Sequence, residues 1–436
     1  VTPGARLAAA IEVLDRIEAD KVPADQALKA WGKQHRFAGS GDRRAIAERV
    51  YQALRGRAAS AWRLGEAGRA LTLGSLVTDG LGPDEIGALF SGEAHSPPPL
   101  TDDERAGAVR DLAEAPDWVR AGVPPLVAEI FKAQFGDDWM AEAQAVLAQR
   151  APVDMRVNGL AGGVEGALKL LALEDIKPEP TPFSAWGLRL PPALAADVQR
   201  TRAYTSGWVE VQDEGSQITA ALAGARPGWT VVDYCAGAGG KTLALAAQMQ
   251  RNNAAIGRLI ACDIEVRRFT NITERLQRAR ATAELRTIGP DGQGTEDLDG
   301  LADLVFVDAP CTGSGTWRRH PEGAWRLRLE TIERLAALQL RILTRASRLV
   351  KPGGRLAYVT CSMIEAENTG VATAFAAQHP QFAPLPITTA AATPDLTDAA
   401  RTRLAELAGQ SHTLQMTPRR TGTDGFFIAL FERLAD

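Results

Sequence analysis

Two cysteines in this sequence stand where a pair of thiols could act together. Cys311 lies in Asp308-Ala309-Pro310-Cys311-Thr312-Gly313, after the apolar run Asp303 to Val307; Cys361 lies in Thr360-Cys361-Ser362, after the run Arg355 to Val359. Each run has the composition of a strand, and each cysteine falls in the turn that follows. A third run, Thr230 to Tyr234, passes into Cys235-Ala236-Gly237-Ala238-Gly239-Gly240-Lys241-Thr242, a glycine-rich turn opening a helix. Glycines at such a turn let backbone amides approach a ligand closely. A P-loop is excluded, because Gly237 stands only three residues before Gly240. Asp263 closes the next run, Arg258 to Cys262, where an acid accepts hydrogen bonds from ribose hydroxyls; capping the following helix is its competing role. Together the turn and the acid point to a nucleoside-containing cofactor without separating NAD from S-adenosylmethionine. Asp291, in Gly289-Pro290-Asp291-Gly292, either contacts the adenine side of that cofactor or makes an ordinary turn.

Ligands of a doubly wound sheet sit at the carboxyl ends of its strands, so Cys311, Cys361 and Asp308 meet beside the cofactor if their two strands are neighbours. That constellation answers a specific need. Carbon 5 of cytosine is a poor nucleophile until a thiolate adds at carbon 6 and pushes electron density into the ring. A base must then remove the carbon-5 proton, and a second cysteine can serve. A carboxyl group on N3 and the exocyclic amine stabilises the developing charge, and Asp308 is the candidate. Lys241 is the supplier of positive charge to the thiols. Cys262, inside an apolar strand, and Cys235, in the glycine turn, are expected to be small buried hydrophobes.

The elements that position these groups form an α/β pattern. Four strand runs, each followed by a helical segment, predict a doubly wound, mostly parallel sheet over residues 205–436, the catalytic domain. Leu335, Leu338, Ile342, Ala346 and Leu349 give the helix before the last of these strands an apolar stripe, and Lys351-Pro352-Gly353-Gly354 is read as its stop and turn. Thr388 to Gly422 lacks periodicity and is read as a surface excursion, before the final strand Gly425 to Phe431. Residues 1–140 carry helical stripes such as Leu7, Ile11, Leu14 and Ile17, interrupted by a proline-rich loop from Gly92 to Glu104. Residues 141–204, with short runs at Met155 to Val157 and Leu188 to Leu190, make a small α/β subdomain.

Composition sets the outer limits. The 436 residues are 45% hydrophobic and 23% charged with a net charge of −4, the balance of a soluble globular protein of two or three domains. No apolar stretch is long enough for a membrane span, and the charged segment Val1 to Asp20 is unlike a signal peptide, so a cytoplasmic monomer is expected. The four cysteines and five histidines lack the spacing of a disulfide framework or a metal site.

The motifs around Asp308 to Cys311, Arg318-Arg319-His320-Pro321, Thr360 to Ser362 and Cys235 to Thr242 resemble those of the Nop/Sun family of RNA cytosine-5 methyltransferases. Val211 to Ser216 resembles the family's opening motif of the catalytic domain, Arg156-Val157-Asn158 its preceding RNA-binding subdomain, and Asp424 to Phe427 its last strand, so the likeness covers roughly residues 150–436. It implies a Rossmann-like class I methyltransferase domain with Cys361 as nucleophile, Cys311 as releasing base and Asp308 as cytosine-binding acid. It also implies an S-adenosylmethionine site lined by Cys235, Ala236, Gly237, Ala238, Gly239, Gly240, Lys241, Asp263, Asp291 and Asp308. Ala238 departs from the family's usual proline, and the region around Asp291 departs from its pattern. The helical part resembles the NusB-like RNA-binding domain of bacterial Sun proteins, which implies small-subunit, 16S-type ribosomal RNA as substrate, at a single-stranded or loop cytosine. Transfer RNA and a non-catalytic role in ribosome assembly are the alternatives. Arg318, Arg319, Arg267 and Arg268, with Arg275, Arg278 and Arg326, are the candidates for tracking RNA phosphates.

Overall fold

The structure, a computed structural model, describes residues 1–93, 95–191, 197–250 and 257–435. It divides into two compact units: Val1–Arg150 together with Thr316–Leu327, and Ala151–Gly315 together with the chain from Arg328 onward.

The first unit is helical. Its opening helices, Pro3–Asp20, Ala24–Gln34 and Ser40–Arg55, pack one apolar stripe each around Val13, Ile17, Trp31, Ile46, Val50 and Leu54. Helices continue to Trp139–Leu147. The proline-rich loop ends at Thr101, which caps the helix Asp102–Ala108 in a reciprocal box with Glu104.

The segment Thr316–Leu327 belongs to this unit although it follows the Cys311 motif in sequence. Trp317 is fully buried and stacks on Phe131, ring centroids 6.4 Å apart. Glu322 Oε1 accepts from the amide of Ala24 at 3.0 Å. Arg326 donates to the carbonyls of Ile17 (2.9 Å), Lys21 (3.1 Å) and Val22 (2.9 Å), groups that the end of the first helix leaves without intrahelical donors.

The second unit holds two sheets. The smaller is antiparallel, ordered β2-β3-β1-β4, from β1 (Val153–Val157), β2 (Glu179–Pro180), β3 (Gly187–Leu190) and β4 (Val209–Val211). Asp154 of β1 binds Arg189 of β3 through two bonds of 2.6 and 2.7 Å and takes the amide of Glu214 with its second oxygen.

The larger sheet is built from β5 (Thr230–Asp233), β6 (Arg258–Asp263), β7 (Glu284–Thr287), β8 (Ala302–Asp308), β9 (Val350–Thr360), β10 (Phe382–Pro384), β11 (Thr413–Met416) and β12 (Phe426–Arg433). Its order is β10-β12-β9-β8-β5-β6-β7, with β11 also on β12; β5 to β9 run parallel and β12 antiparallel to β9. Both faces are covered, which is why the strands are apolar runs rather than alternating ones. Leu304 and Phe306 of β8 face a core shared with Leu245 and Met249, while Val305 and Val307 face one shared with Leu343, Ala346 and Phe375.

Three readings from sequence change here. Lys351 to Gly354 lies inside β9, as a bulge between the pairs Ala302↔Val350 and Leu304↔Arg355, with Gly353 at φ +73°. The region after Thr388 is core material: it forms the helix Asp398–Ala408 and β11, and it buries Leu396, Leu404, Leu414 and Met416. The helix Leu329–Ser347 buries Ile332, Leu335, Gln339, Leu343 and Ala346, leaving Leu338 and Ile342 half-buried. A polar Gln339 on the inward face displaces the stripe read from the sequence.

The Arg326 bonds generate a stability prediction. Arg326→Ala should destabilise the helical unit by about 1 to 2 kcal/mol, since charged hydrogen bonds to partly exposed carbonyls are lost. Chemical denaturation followed by tryptophan fluorescence measures this, and an unchanged midpoint would contradict the assigned role.

Candidate active site

Cys311 and Cys361 meet because β8 and β9 are parallel neighbours, with Asp308 opposite Val359. The sulfurs are 3.4 Å apart and both residues are partly exposed. Backbone bonds fix the turns that carry them: Ala309 N to Val359 O at 2.9 Å, Gly315 N to Cys361 O at 2.9 Å, and Gly425 N to Gly315 O at 2.8 Å. A Cβ on Gly315 would stand 1.9 Å from the carbonyl oxygen of Gly425, so this crossing of the two chains requires glycine.

The Cys311 thiol is pushed well up from its ordinary range, first by its hydrogen bond to Cys361, then by burial and by the charges of Cys361 and Glu367; a bond from the Gly313 amide opposes them. Lys241 donates to Asp308 Oδ2 at 2.6 Å and lies 5.1 Å from the ring centroid of Phe426. Burial alone would lower the Lys241 pKa, yet the charge of Asp308, its hydrogen bond and the charge of Cys361 outweigh burial and raise it. Lys241, Asp308 and both cysteines therefore gather at the carboxyl ends of β5, β8 and β9.

The glycine turn is the neighbouring feature. Gly237 and Gly239 have φ of +55° and +82°, and the helix Gly240–Met249 starts here with first-turn amides that have no intrahelical acceptor. A Cβ at Gly237 would meet nothing beyond its adjacent residues closer than the Cys235 carbonyl oxygen at 3.9 Å, so that side of the turn is open. Asp263 is buried and accepts from Gly237 N and Glu265 N, both at 2.9 Å, and from Arg268 at 3.3 Å. It thus pins the turn and meets the helix start, using three of the about four acceptor positions of a carboxylate. Gln212, which the sequence places in the opening motif of the catalytic domain without a contact of its own, ties the turn to the smaller sheet: its amide donates to Gly240 O (3.2 Å) and Ser216 Oγ (3.1 Å) and its carbonyl accepts from Arg156 (2.7 Å). Cys235 is pushed well up by desolvation and then by Asp233, and Cys262 to about 12 by burial and then Asp233, so both stay as thiols.

Other expected site residues lie differently. Residues 289–292 form a turn, closed by Gly292 N to Gly289 O at 2.9 Å, and Asp291 pairs with Arg345; among the described residues no hydrogen bond joins it to the glycine turn. Arg268 pairs with Asp263 and Glu265, and Arg275 and Arg278 both pair with the buried Glu210. Arg318 is 4% exposed within the helical unit, where its carbonyl accepts from Arg55 at 3.2 Å. Arg319 is half-buried in the same segment, and Arg267 is exposed with no ion pair among the described residues.

Asp233, at the end of β5, is wholly buried and receives the Thr242 hydroxyl at 2.6 Å. Burial, against the Thr242 bond, raises its pKa from 3.8 to about 7. Above pH 3.8 the unfolded chain ionises this group while the folded chain keeps it protonated, so the Asp233 contribution to stability falls as pH rises to about 7 and is level beyond. Denaturant titrations of wild type and Asp233→Asn should show the variant gaining relative stability across that window. A difference that stays constant with pH would refute the buried, protonated carboxyl.

Comparison with known proteins places this geometry. The sequence model of the family described as 16S rRNA methyltransferase RsmB/F matches residues 220–432. Ribosomal RNA small subunit methyltransferase B of Pseudomonas putida is 33% identical over 319 residues, 73% of this chain and 68% of that one. The crystal structure of PH0851 superposes with a TM-score of 0.74 at 24% identity, covering 99% of each chain. That of NSun6 from Pyrococcus horikoshii with SFG gives a TM-score of 0.61 at 19% identity, covering 72% of this chain and 99% of that one. A Rossmann-like catalytic unit, the motifs on its strand ends and a relative matched over two thirds of its length lead to one conclusion: this chain belongs to the RsmB/F family of S-adenosylmethionine-dependent RNA methyltransferases.

Proposed function

We propose that this protein methylates carbon 5 of a cytosine in small-subunit ribosomal RNA, through a covalent bond from Cys361 that Cys311 helps to release. The observation that carries this reading is the 3.4 Å approach of the two sulfurs beside the Lys241–Asp308 pair. The relatives named for ribosomal RNA small-subunit methylation support the substrate class.

S-adenosylmethionine supplies an electrophilic sulfonium methyl group when bound. The open glycine turn, the first-turn amides of the helix Gly240–Met249 and the remaining acceptor position of Asp263 fit its nucleoside and amino-acid ends, and Asp308 borders both ligands. The Cys361 thiolate gives its electron pair to carbon 6 of a cytosine turned out of its stack, and the ring pair moves toward carbon 5, which accepts the methyl group. Asp308, held by Lys241, faces N3 and the exocyclic amine. Once the sulfur–carbon bond forms, Cys361 is a thioether and a weaker acceptor, so the hydrogen bond that is the first cause holding the Cys311 proton loosens. Cys311 then yields its proton to water and, as thiolate, takes the proton from carbon 5. The carbon–hydrogen pair rebuilds the double bond and expels Cys361 as a thiolate. Cys235 and Cys262 take no part. Arg267 is proposed as a contact to RNA phosphate.

Cys361→Ala should abolish methyl transfer, whereas Cys311→Ala should transfer once and retain the RNA as a covalent adduct. A denaturing gel with labelled RNA reads both results. Adduct from Cys361→Ala, or free product at normal rate from Cys311→Ala, would reverse the assigned roles.

A further inference from the structure

We propose that Glu367 is a positioning residue for both cysteines, a buried carboxylate that ties the two sulfur-bearing turns to one another; the proposal rests on the cytosine-5 reading for the separate roles of the sulfurs. Glu367 closes the short helical turn Glu365–Glu367 after β9 and is 0% exposed. Its Oε1 accepts from Thr312 N at 2.9 Å and Gln339 Nε2 at 3.0 Å; its Oε2 accepts from Thr312 Oγ1 and Ser362 Oγ, each at 2.6 Å. Thr312 directly follows Cys311, and Ser362 directly follows Cys361. One carboxyl group is therefore bonded to the residue after each sulfur.

The chemistry of the donors explains why the group is an acid. A carboxylate has about four acceptor positions and no donor, and here it meets four donors. Burial of the charge is tolerable only under such saturation. Gln339 extends the tie, since its amide also donates to Pro310 O at 2.9 Å, the residue before Cys311. Asn368, the next residue, repeats the pattern on the Cys361 side: its amide donates to Ser362 O at 2.9 Å and its carbonyl accepts the Thr360 hydroxyl at 2.5 Å. The turn Glu367-Asn368 thus holds the residues flanking both sulfurs, while neither of its side chains bonds a sulfur. The Cys311 pKa is raised first by its bond to Cys361 and by burial, and the nearby Glu367 acts in the same direction.

Two ties to one acid should separate the two steps. In the full-length protein with a small-subunit ribosomal RNA transcript, Ser362→Ala should slow adduct formation about tenfold without accumulation of adduct. Thr312→Val should leave formation intact and slow release about tenfold, so that adduct builds up although Cys311 is present. Glu367→Gln places an amide where only acceptors fit and should slow turnover about 100-fold, the loss expected of a misplacement near 1 Å. All three should keep S-adenosylmethionine affinity within about twofold of wild type, because the ties lie outside the glycine turn. Wild-type partition between formation and release in Thr312→Val and Ser362→Ala would overturn the proposal. So would an equal fall of both steps in all three variants together with lost cofactor affinity, the mark of a merely structural residue. Cys311→Ala serves as the control: adduct from it alongside normally behaving tie variants sinks only the Glu367 proposal, and absence of adduct from it sinks the underlying reading as well.

Discussion

The parallel pairing of β8 with β9 is the constraint on which the site depends. Adjacent strands lie roughly 4.8 Å apart, and the register that sets Asp308 opposite Val359 ends both strands at one level. Backbone bonds from Ala309 N to Val359 O and from Gly315 N to Cys361 O hold the two turns together, and the sulfurs arrive at 3.4 Å. β12, antiparallel on the far side of β9, brings Gly425 against Gly315 and closes the crossing from above. β5, on the other side of β8, delivers the glycine turn and Lys241. Sheet order rather than sequence proximity therefore assembles the chemistry.

The second theme is the management of charge at low solvent access. Asp308 and Lys241 face each other directly, so neither is buried alone. Asp233, one strand end away, has a hydroxyl for company and remains protonated instead. Four thiols lie within the same unit; Cys235 and Cys262 are held neutral by burial and Asp233, whereas Cys311 is held first by its hydrogen bond to Cys361, and only that pair at the strand ends face one another. Reactivity here is decided by neighbours, not by residue type.

Much of this was legible in the chain itself, for physical reasons that also mark where legibility stops. Strands buried on both faces announce themselves as apolar runs, and glycine, aspartate and cysteine at their ends are few enough to notice. Glu367 and Gln339 escaped because an acid in Glu365-Ala366-Glu367-Asn368 looks like the exposed start of a helix, and a glutamine within an amphipathic helix looks like its wet face. Their burial is created by distant segments. The arginines show the converse: local clustering suggested a phosphate-tracking face, while Glu210, from a strand far away in sequence, pairs with two of them and a carboxylate beside the glycine turn pairs with a third, contacts that their own stretch of sequence does not announce. The segment after Thr388 misled because small and polar residues hide a core contribution made by only a few large side chains.

The path of the chain through Thr316–Leu327 has a consequence for how this molecule can be divided. A fragment beginning at Ala151 would still carry Trp317, Glu322 and Arg326, but without the aromatic ring, helix amide and carbonyls that they meet. An indole, a carboxylate and a guanidinium would all be stripped of shelter a few residues beyond the Pro-Cys turn. A cut at Ala151 therefore separates Thr316–Leu327 from the helices it packs with, so the boundary of the helical unit in sequence is not its boundary in space.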